Sequence, residues 1–260
     1  MTDSQVTPKE LQPQFLFITD LDHTFVGDAD ALRELQALLR QHRQAYGTKI
    51  VYATGRSPQL YRQLKAEQSL INPDALVTSV GTEIYYQDPS DVADREWSAI
   101  LAPGWNREIV AATAAEFAEL VPQPESEQRP FKLSYYISPE LAAGILPKVE
   151  SILQQQGLKV KLVYSGGKDL DFLPEKGNKG LAMQFLGQHW GISPERTVAC
   201  GDSGNDIALF SVGSEKGIIV GNAKSELRQW YAQNRTPEIY LAQANYARGI
   251  VEGLKYFGFL

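Results

Sequence analysis

Apolar positions recur along the chain in two rhythms. Phe15-Leu16-Phe17-Ile18-Thr19 is an unbroken run of strand length, the pattern of a strand buried on both faces. After a loop, Ala31, Leu32, Leu35, Leu38 and Leu39 return at helical spacing. Lys49 to Ala53 and Ala75 to Val80 repeat the strand pattern, and Ser57-Pro58 offers an N-cap and a first-turn proline between them. This βαβαβ order predicts an α/β protein: a Rossmann-like parallel sheet with helices on both faces. The rhythm resumes late, with a helix over Gly180–Trp190, a strand over Thr197–Cys200 and a short helix over Asp206–Phe210. A strand over Gly217–Val220 and a closing helix over Gly249–Phe257 follow.

The middle of the chain differs. Glu83 to Tyr86 reads as a hairpin arm, and Asn106 caps a helical run through Ala111, Ala115, Phe117 and Leu120. Lys132 to Ile137 and Leu158 to Tyr164 alternate like half-exposed strands, with a helix over Pro139–Gln155 between them. The stretch Val121 to Pro130, with Pro122 and Pro124, reads as a surface connection. These signals predict an α+β lobe inserted into a split core. The expected division is 1–89 for the first part of the core (1–13 a loose lead-in), 90–171 for the lobe and 172–260 for the second part.

Composition narrows the function. The 260 residues are 43% hydrophobic and 22% charged with a net charge of −6, an ordinary globular balance. The acidity argues against nucleic acid, whose binding domains present a basic face. No apolar run approaches the roughly 20 residues of a membrane helix, and the polar stretch Met1 to Gln14 is not expected to act as a signal peptide. Cys200 is the single cysteine, so no internal disulfide can form and a cytoplasmic protein is expected. It lies on a predicted core strand and reads as an inert buried residue. No long apolar stripe is predicted at the surface, which favours a monomer.

Four short motifs stand at predicted strand ends or helix starts, where ligands of open α/β sheets bind. Asp20-Leu21-Asp22-His23-Thr24 pairs two acids that can divide the work of nucleophile or metal ligand and of acid and base. Thr54-Gly55-Arg56 offers a hydroxyl and backbone donors to a phosphoryl oxygen. Lys179 opens a helix against its dipole, a conflict that an anion held there would resolve. Gly201-Asp202-Ser203-Gly204-Asn205-Asp206 adds two carboxylates, hard ligands suited to magnesium. Each alone also fits a plain turn or cap; four together at strand ends do not.

Asp20-x-Asp22-x-Thr24, Thr54, Lys179 and Gly201-Asp202-x-x-x-Asp206, in this order, resemble the signature motifs of the haloacid dehalogenase superfamily over about residues 14–89 and 172–260. Tyr52-Ala53-Thr54-Gly55-Arg56-Ser57, Val80-Gly81-Thr82-Glu83-Ile84-Tyr85 and Ser165-Gly166-Gly167-Lys168-Asp169 narrow the likeness to its sucrose-phosphate phosphatases in their compact form. The resemblance implies a magnesium-dependent phosphatase that releases sucrose from sucrose 6-phosphate, the last step of sucrose synthesis, with the inserted lobe as a cap. It implies Asp20 as nucleophile, Asp22 as general acid and base, and Thr54 and Lys179 on the phosphoryl oxygens. Magnesium would take the carboxylates of Asp20 and Asp202 and the backbone carbonyl of Asp22, with Asn205 and Asp206 orienting its surroundings. Gly55, Arg56 and Asn205 join the substrate site, Arg56 more as a partner of a neighbouring group than as a direct ligand. His23 is given no catalytic part.

Specificity must then come from the lobe and its border. Glu83, Lys132, Tyr135, Lys168, Asp169 and Asp171 are expected to meet sugar hydroxyls; of Tyr135 and Tyr136, which alternate, one should simply pack. Alternatives are a phosphatase for another sugar phosphate, such as mannosylglycerate or trehalose phosphate, or a non-catalytic domain that binds sugar phosphate or docks on a synthase. Association with sucrose-phosphate synthase is what the pathway implies.

Overall fold

A computed structural model describes residues 14–86 and 92–260. The expected lead-in, 1–13, and the expected boundary at 89–90 lie outside the described residues. The chain first runs through β1 (Leu16–Thr19), α1 (Ala29–Tyr46), β2 (Lys49–Ala53), α2 (Pro58–Glu67), β3 (Ala75–Thr78), β4 (Glu83–Tyr85) and α3 (Arg95–Leu101). Next come α4 (Arg107–Ala115), β5 (Val121–Pro122), β6 (Leu133–Tyr136), α5 (Pro139–Gln155), β7 (Val160–Ser165) and β8 (Asp169–Pro174). It closes with α6 (Lys179–Trp190), β9 (Thr197–Gly201), β10 (Lys216–Ile219), α7 (Ser225–Gln233), β11 (Ile239–Leu241) and α8 (Tyr246–Tyr256).

Seven strands form one sheet in the order β11-β10-β9-β1-β2-β3-β4, parallel except for the β3–β4 hairpin. Because side chains alternate along a strand, each buried run feeds two cores. Phe17, Tyr52 and Cys200 pack on one face with α1 and α8, while Ile18, Val51 and Ala199 pack on the other with α6 and α7. Trp97 and Leu101 of α3 belong to that second core. Cys200 is fully buried and free, as its place on the strand predicts.

The order places β1 at the switch point: the chain leaves it towards β2 on one side and returns as β9 on the other. Carboxyl ends of β1, β9 and β2 therefore converge, carrying Asp20, Asp202 and Thr54 to one spot.

The small sheet is antiparallel, ordered β5-β6-β8-β7. Its apolar face packs against α4 and α5 through Leu133, Leu170 and Phe172. The opposite parity, Ser134 paired with Asp171, faces the large sheet's strand ends.

Three expectations shift. The strand expected to reach Val80 stops at Thr78, because Ser79 and Val80 turn with φ of 54° and 61° to start the hairpin. The run capped by Asn106 ends at Ala115, and Phe117 and Leu120 fold back onto the small sheet's core instead of continuing the helix. The stretch 121–130 is no simple surface connection: it contributes β5 and buries Glu127. Among the described residues, no helix is long and apolar enough to cross a membrane.

Candidate active site

The floor of the site is assembled from three strand ends and one helix start. Asp20 continues the β1–β9 ladder, its N–H donating to the Cys200 carbonyl at 3.0 Å, so its carboxylate is carried on rigid sheet. The following turn, Leu21–Phe25, reverses through His23 at φ 59°. That turn aims the Thr24 hydroxyl at Asp202 Oδ1, 2.9 Å away, tying the first motif to the fourth. In the fourth motif, Asp206 Oδ2 accepts from the Asp202 and Ser203 N–H groups at 2.9 and 3.0 Å. Gly201 is required there, since a β-carbon would lie 2.5 Å from that of Asp206.

Lys179 resolves its conflict with the helix dipole in an unexpected way. Asn178 caps α6, accepting from the Leu181 N–H at 2.8 Å, which satisfies one of the helix's free first-turn donors. The fully buried ammonium instead donates to Asp20 Oδ1 and Asp206 Oδ1 at 2.7 Å each and to Asn205 Oδ1 at 3.0 Å. Burial opposes its charge, yet the carboxylates of Asp20 and Asp206 hold its pKa above the usual lysine value. Gly81, at φ 96°, lets the β3–β4 hairpin approach the Asn178 backbone: a β-carbon would lie 2.2 Å from the Asn178 carbonyl carbon.

Three buried carboxylates face one ammonium, which leaves negative charge in a dry place. Burial pushes the Asp20 carboxyl well above its ordinary range; Asp206 and Asp202 add to this and Lys179 opposes it. Asp202 is pushed up to about 7, by burial first and Asp206 second. Its Oδ2 is buried without a hydrogen-bond partner. One oxygen from each of Asp20, Asp202 and Asp206 falls within 4.8 Å of the others, a donor set that a hard divalent cation fits.

Asp22 stands apart from this triad. Arg56 Nε and Nη2 grip its two oxygens at 2.7 Å each, the paired geometry that suits guanidinium to carboxylate. Arg56 thus partners a neighbour, and its Nη1 is tied back to the Leu60 carbonyl at 3.2 Å. Thr54 Oγ1 accepts from the Arg56 N–H at 3.1 Å, and Gly55 lies open beside Asn205.

Above this floor a cleft of about 240 Å³ separates the two sheets. Asp20, Asp22 and Asp202 line it below; Lys132, Asp169 and Asp171 line it from the lobe. Lys132 lies 3.6 Å from Glu127 and 3.5 Å from Asp171, and all three are buried. Thr54, Lys179 and Asp206 sit beneath the floor, buried.

The other expected sugar contacts are not brought to the cleft. Tyr135 is on the apolar face, packed edge-on against Phe172, because β6 pairs in the register that turns Ser134 towards the cleft. Lys168 lies over the Tyr136 ring, 5.9 Å from its centroid. Glu83 is buried under the hairpin, accepting from Thr78, Ser79 and Arg129. Cleft residues missed by sequence reasoning are Gln123, Glu127 and Lys224. The acids and amides clustered in 121–130 were the available signal for the first two; Lys224, after β10, carried none.

The chain is 32% identical over 271 residues to a putative HAD-like hydrolase of Nitrosococcus oceani, covering 95% of this chain and 72% of that protein, which puts its Rossmann-like core and inserted α+β lobe in the haloacid dehalogenase class. The family described as Sucrose-6F-phosphate phosphohydrolase matches residues 13–258, and the chain belongs to that family. It is 40% identical over 251 residues to sucrose-phosphatase 2 of Nicotiana tabacum, covering 93% of this chain and 58% of the tobacco protein. The chain thus spans about 60% of the length of its curated plant relatives. Mannosylfructose-phosphate phosphatase of Agrobacterium fabrum is 31% identical, with 95% of this chain and 98% of that protein covered. The sucrose-phosphatase of Synechocystis, a crystal structure with sucrose and phosphate, superposes with a TM-score of 0.87 at 41% identity, covering 95% and 98% of the two chains.

Proposed function

We propose that this protein hydrolyses sucrose 6-phosphate to sucrose and phosphate through a phosphoryl group carried on Asp20. The observation that carries the reading is the buried Lys179 ammonium, bonded to Asp20 and Asp206 under a cleft whose roof is polar. The choice of sucrose draws on likeness to the Synechocystis protein and its complex.

One Asp20 oxygen is engaged by Lys179, which leaves the other to attack phosphorus in line. As the phosphorus bond to the sugar oxygen breaks, Asp22 donates the proton that oxygen needs. Asp22 then takes a proton from the water that attacks the phosphoaspartate, and Asp20 returns as a free carboxylate. Arg56 orients Asp22 for both transfers. The Thr54 hydroxyl, the Gly55 backbone, Asn205 and the Lys179 charge receive the phosphoryl oxygens, on which charge accumulates.

Magnesium fits this donor set: Asp20 and Asp202 would hold it with the Asp22 carbonyl, the partnerless Asp202 oxygen being the free ligand atom, and Asp206 would order its surroundings. When bound, it supplies a countercharge that lets an anionic nucleophile meet an anionic phosphate, worth several kcal/mol.

The lobe, expected over 90–171, acts as the cap. Lys132, Asp169 and Asp171 from the expected set, with Glu127 and Gln123, offer donors and acceptors to sugar hydroxyls. Glu83 acts through Arg129. The lone buried Cys200 supports a reducing, cytoplasmic setting, and the protein acts as a monomer on a small sugar phosphate.

Phosphate release from a panel of sugar phosphates in magnesium tests the reading. Sucrose 6-phosphate should be turned over fastest, ahead of mannosylfructose, trehalose and glucose phosphates. Equal rates on all of them would overturn the assignment to sucrose.

A further inference from the structure

We propose that Ser57 is a positioning residue whose hydroxyl latches the lobe to the core and so couples sugar recognition to the phosphoryl-transfer groups. The inference rests on the functional reading above. Ser57 is fully buried at the start of α2, where its oxygen receives the Leu60 N–H at a long 3.4 Å. Its own proton goes elsewhere: the hydroxyl donates to Glu127 Oε1, across the domain gap, at 2.6 Å. A helix cap needs only the acceptor side of a serine. The donor side is spent on the lobe.

The two ends of this contact lie in different functional neighbourhoods. Ser57 directly follows Arg56, whose guanidinium grips Asp22. Glu127 faces Lys132, and Lys132 faces Asp171, which accepts from Ser134 at 2.6 Å. One polar chain therefore runs from the acid and base on the core to the roof of the cleft. Two residues further on, Arg129 pairs with Glu83 of β4 at 2.9 Å, so the same short loop meets the core twice.

Such a link matters because in-line attack needs phosphorus within roughly 3–3.5 Å of the nucleophile. A sugar phosphate held at both ends reaches that position only when the lobe stands at the right distance from the core. A hydrogen bond to a buried carboxylate is short and strong, and without it Glu127 keeps only the longer contacts to Ser126 at 3.4 Å and Lys132 at 3.6 Å. An ester held by its phosphate alone does not feel the lobe's position. Ser57 should therefore govern which esters are hydrolysed well, rather than hydrolysis as such.

The test compares sucrose 6-phosphate with p-nitrophenyl phosphate, an ester without a sugar, in the full chain with magnesium. Ser57→Ala should lower kcat/KM on the sugar ester about ten- to a hundredfold, the worth of a charge-assisted hydrogen bond. The aryl ester should lose less than about threefold, within the weak cap contribution. Ser57→Thr, which keeps the hydroxyl, should restore the ratio. Hydrogen exchange of the 123–129 amides should quicken in Ser57→Ala and not in Ser57→Thr. Equal losses on both esters, or unchanged exchange in that loop, would overturn the latch. A wild-type protein with no preference for the sugar ester would instead count against the sucrose reading alone, and the exchange measurement would then judge the latch by itself.

Discussion

The core and the lobe solve the same problem, placing charge in a cleft, by different means. In the core, Asp20, Thr54 and Asp202 follow three parallel strands buried on both faces, so the site inherits the rigidity of the sheet. Its charges interlock: one ammonium serves Asp20 and Asp206 at 2.7 Å each. In the lobe, the polar residues occupy one face of an antiparallel sheet whose other face is the lobe's own core. There Lys132 stands 3.6 and 3.5 Å from its acids, looser pairs that leave capacity for a ligand. Chemistry is fixed where packing is densest; choice of substrate is placed where hydrogen bonds remain to be made.

The largest test of this division is Asp20→Asn. It should abolish turnover of every phosphate ester alike, by on the order of 10⁵-fold, in steady-state assays with sugar and aryl substrates. Asp171→Asn sits on the other side of the divide. It should cost about ten- to a hundredfold on sucrose 6-phosphate, mostly in KM, and far less on p-nitrophenyl phosphate. A uniform loss on both would erase the distinction between the two regions.

The core's acids also carry a cost when no cation neutralises them. Asp202 is pushed up to about 7 from an ordinary carboxylate's 3.8, chiefly by burial, and Asp20 is raised in the same direction. Between those values the folded protein binds more protons than the unfolded chain, so stability falls as pH rises and levels off above about 7. Thermal unfolding in a chelator should therefore show a midpoint that drops by several degrees from pH 5 to pH 8. Magnesium should flatten that slope, and a slope equally steep with saturating magnesium would remove the cation from the site. The smallest effect belongs to Asn178→Ala, which removes the α6 cap for about 1 kcal/mol, or roughly 2–4 °C in the midpoint.

Legibility followed local physics. The central strands β1, β2, β3 and β9 were readable as short, largely apolar runs, and α5 matched its predicted span, Pro139–Gln155. Missed were α7, which buries only Leu227, and β11, three residues long. Also missed was β8, whose Asp-Leu-Asp opening reads as a loop until Asp171 is seen buried in the cleft. The four motifs of the site were legible because glycines and acids cluster where strands end. The latch at Ser57 was not: its partner lies 70 residues away in the chain, in a stretch whose prolines and acids read as surface.

By itself, then, the sequence determined the alternation that makes a two-faced parallel sheet and the strand ends at which its acids gather. Those are consequences of residue spacing alone. Tertiary structure decided which carboxylates surround Lys179, bringing Asp20 and Asp206, 159 and 27 residues away in the chain, to its ammonium. It also decided which parity of β6 faces the cleft, Ser134 inward and Tyr135 packed against Phe172. Strand parity depends on register with β8, and a one-residue slip would exchange every inward for an outward side chain. Only the assembled pair of sheets sets that register.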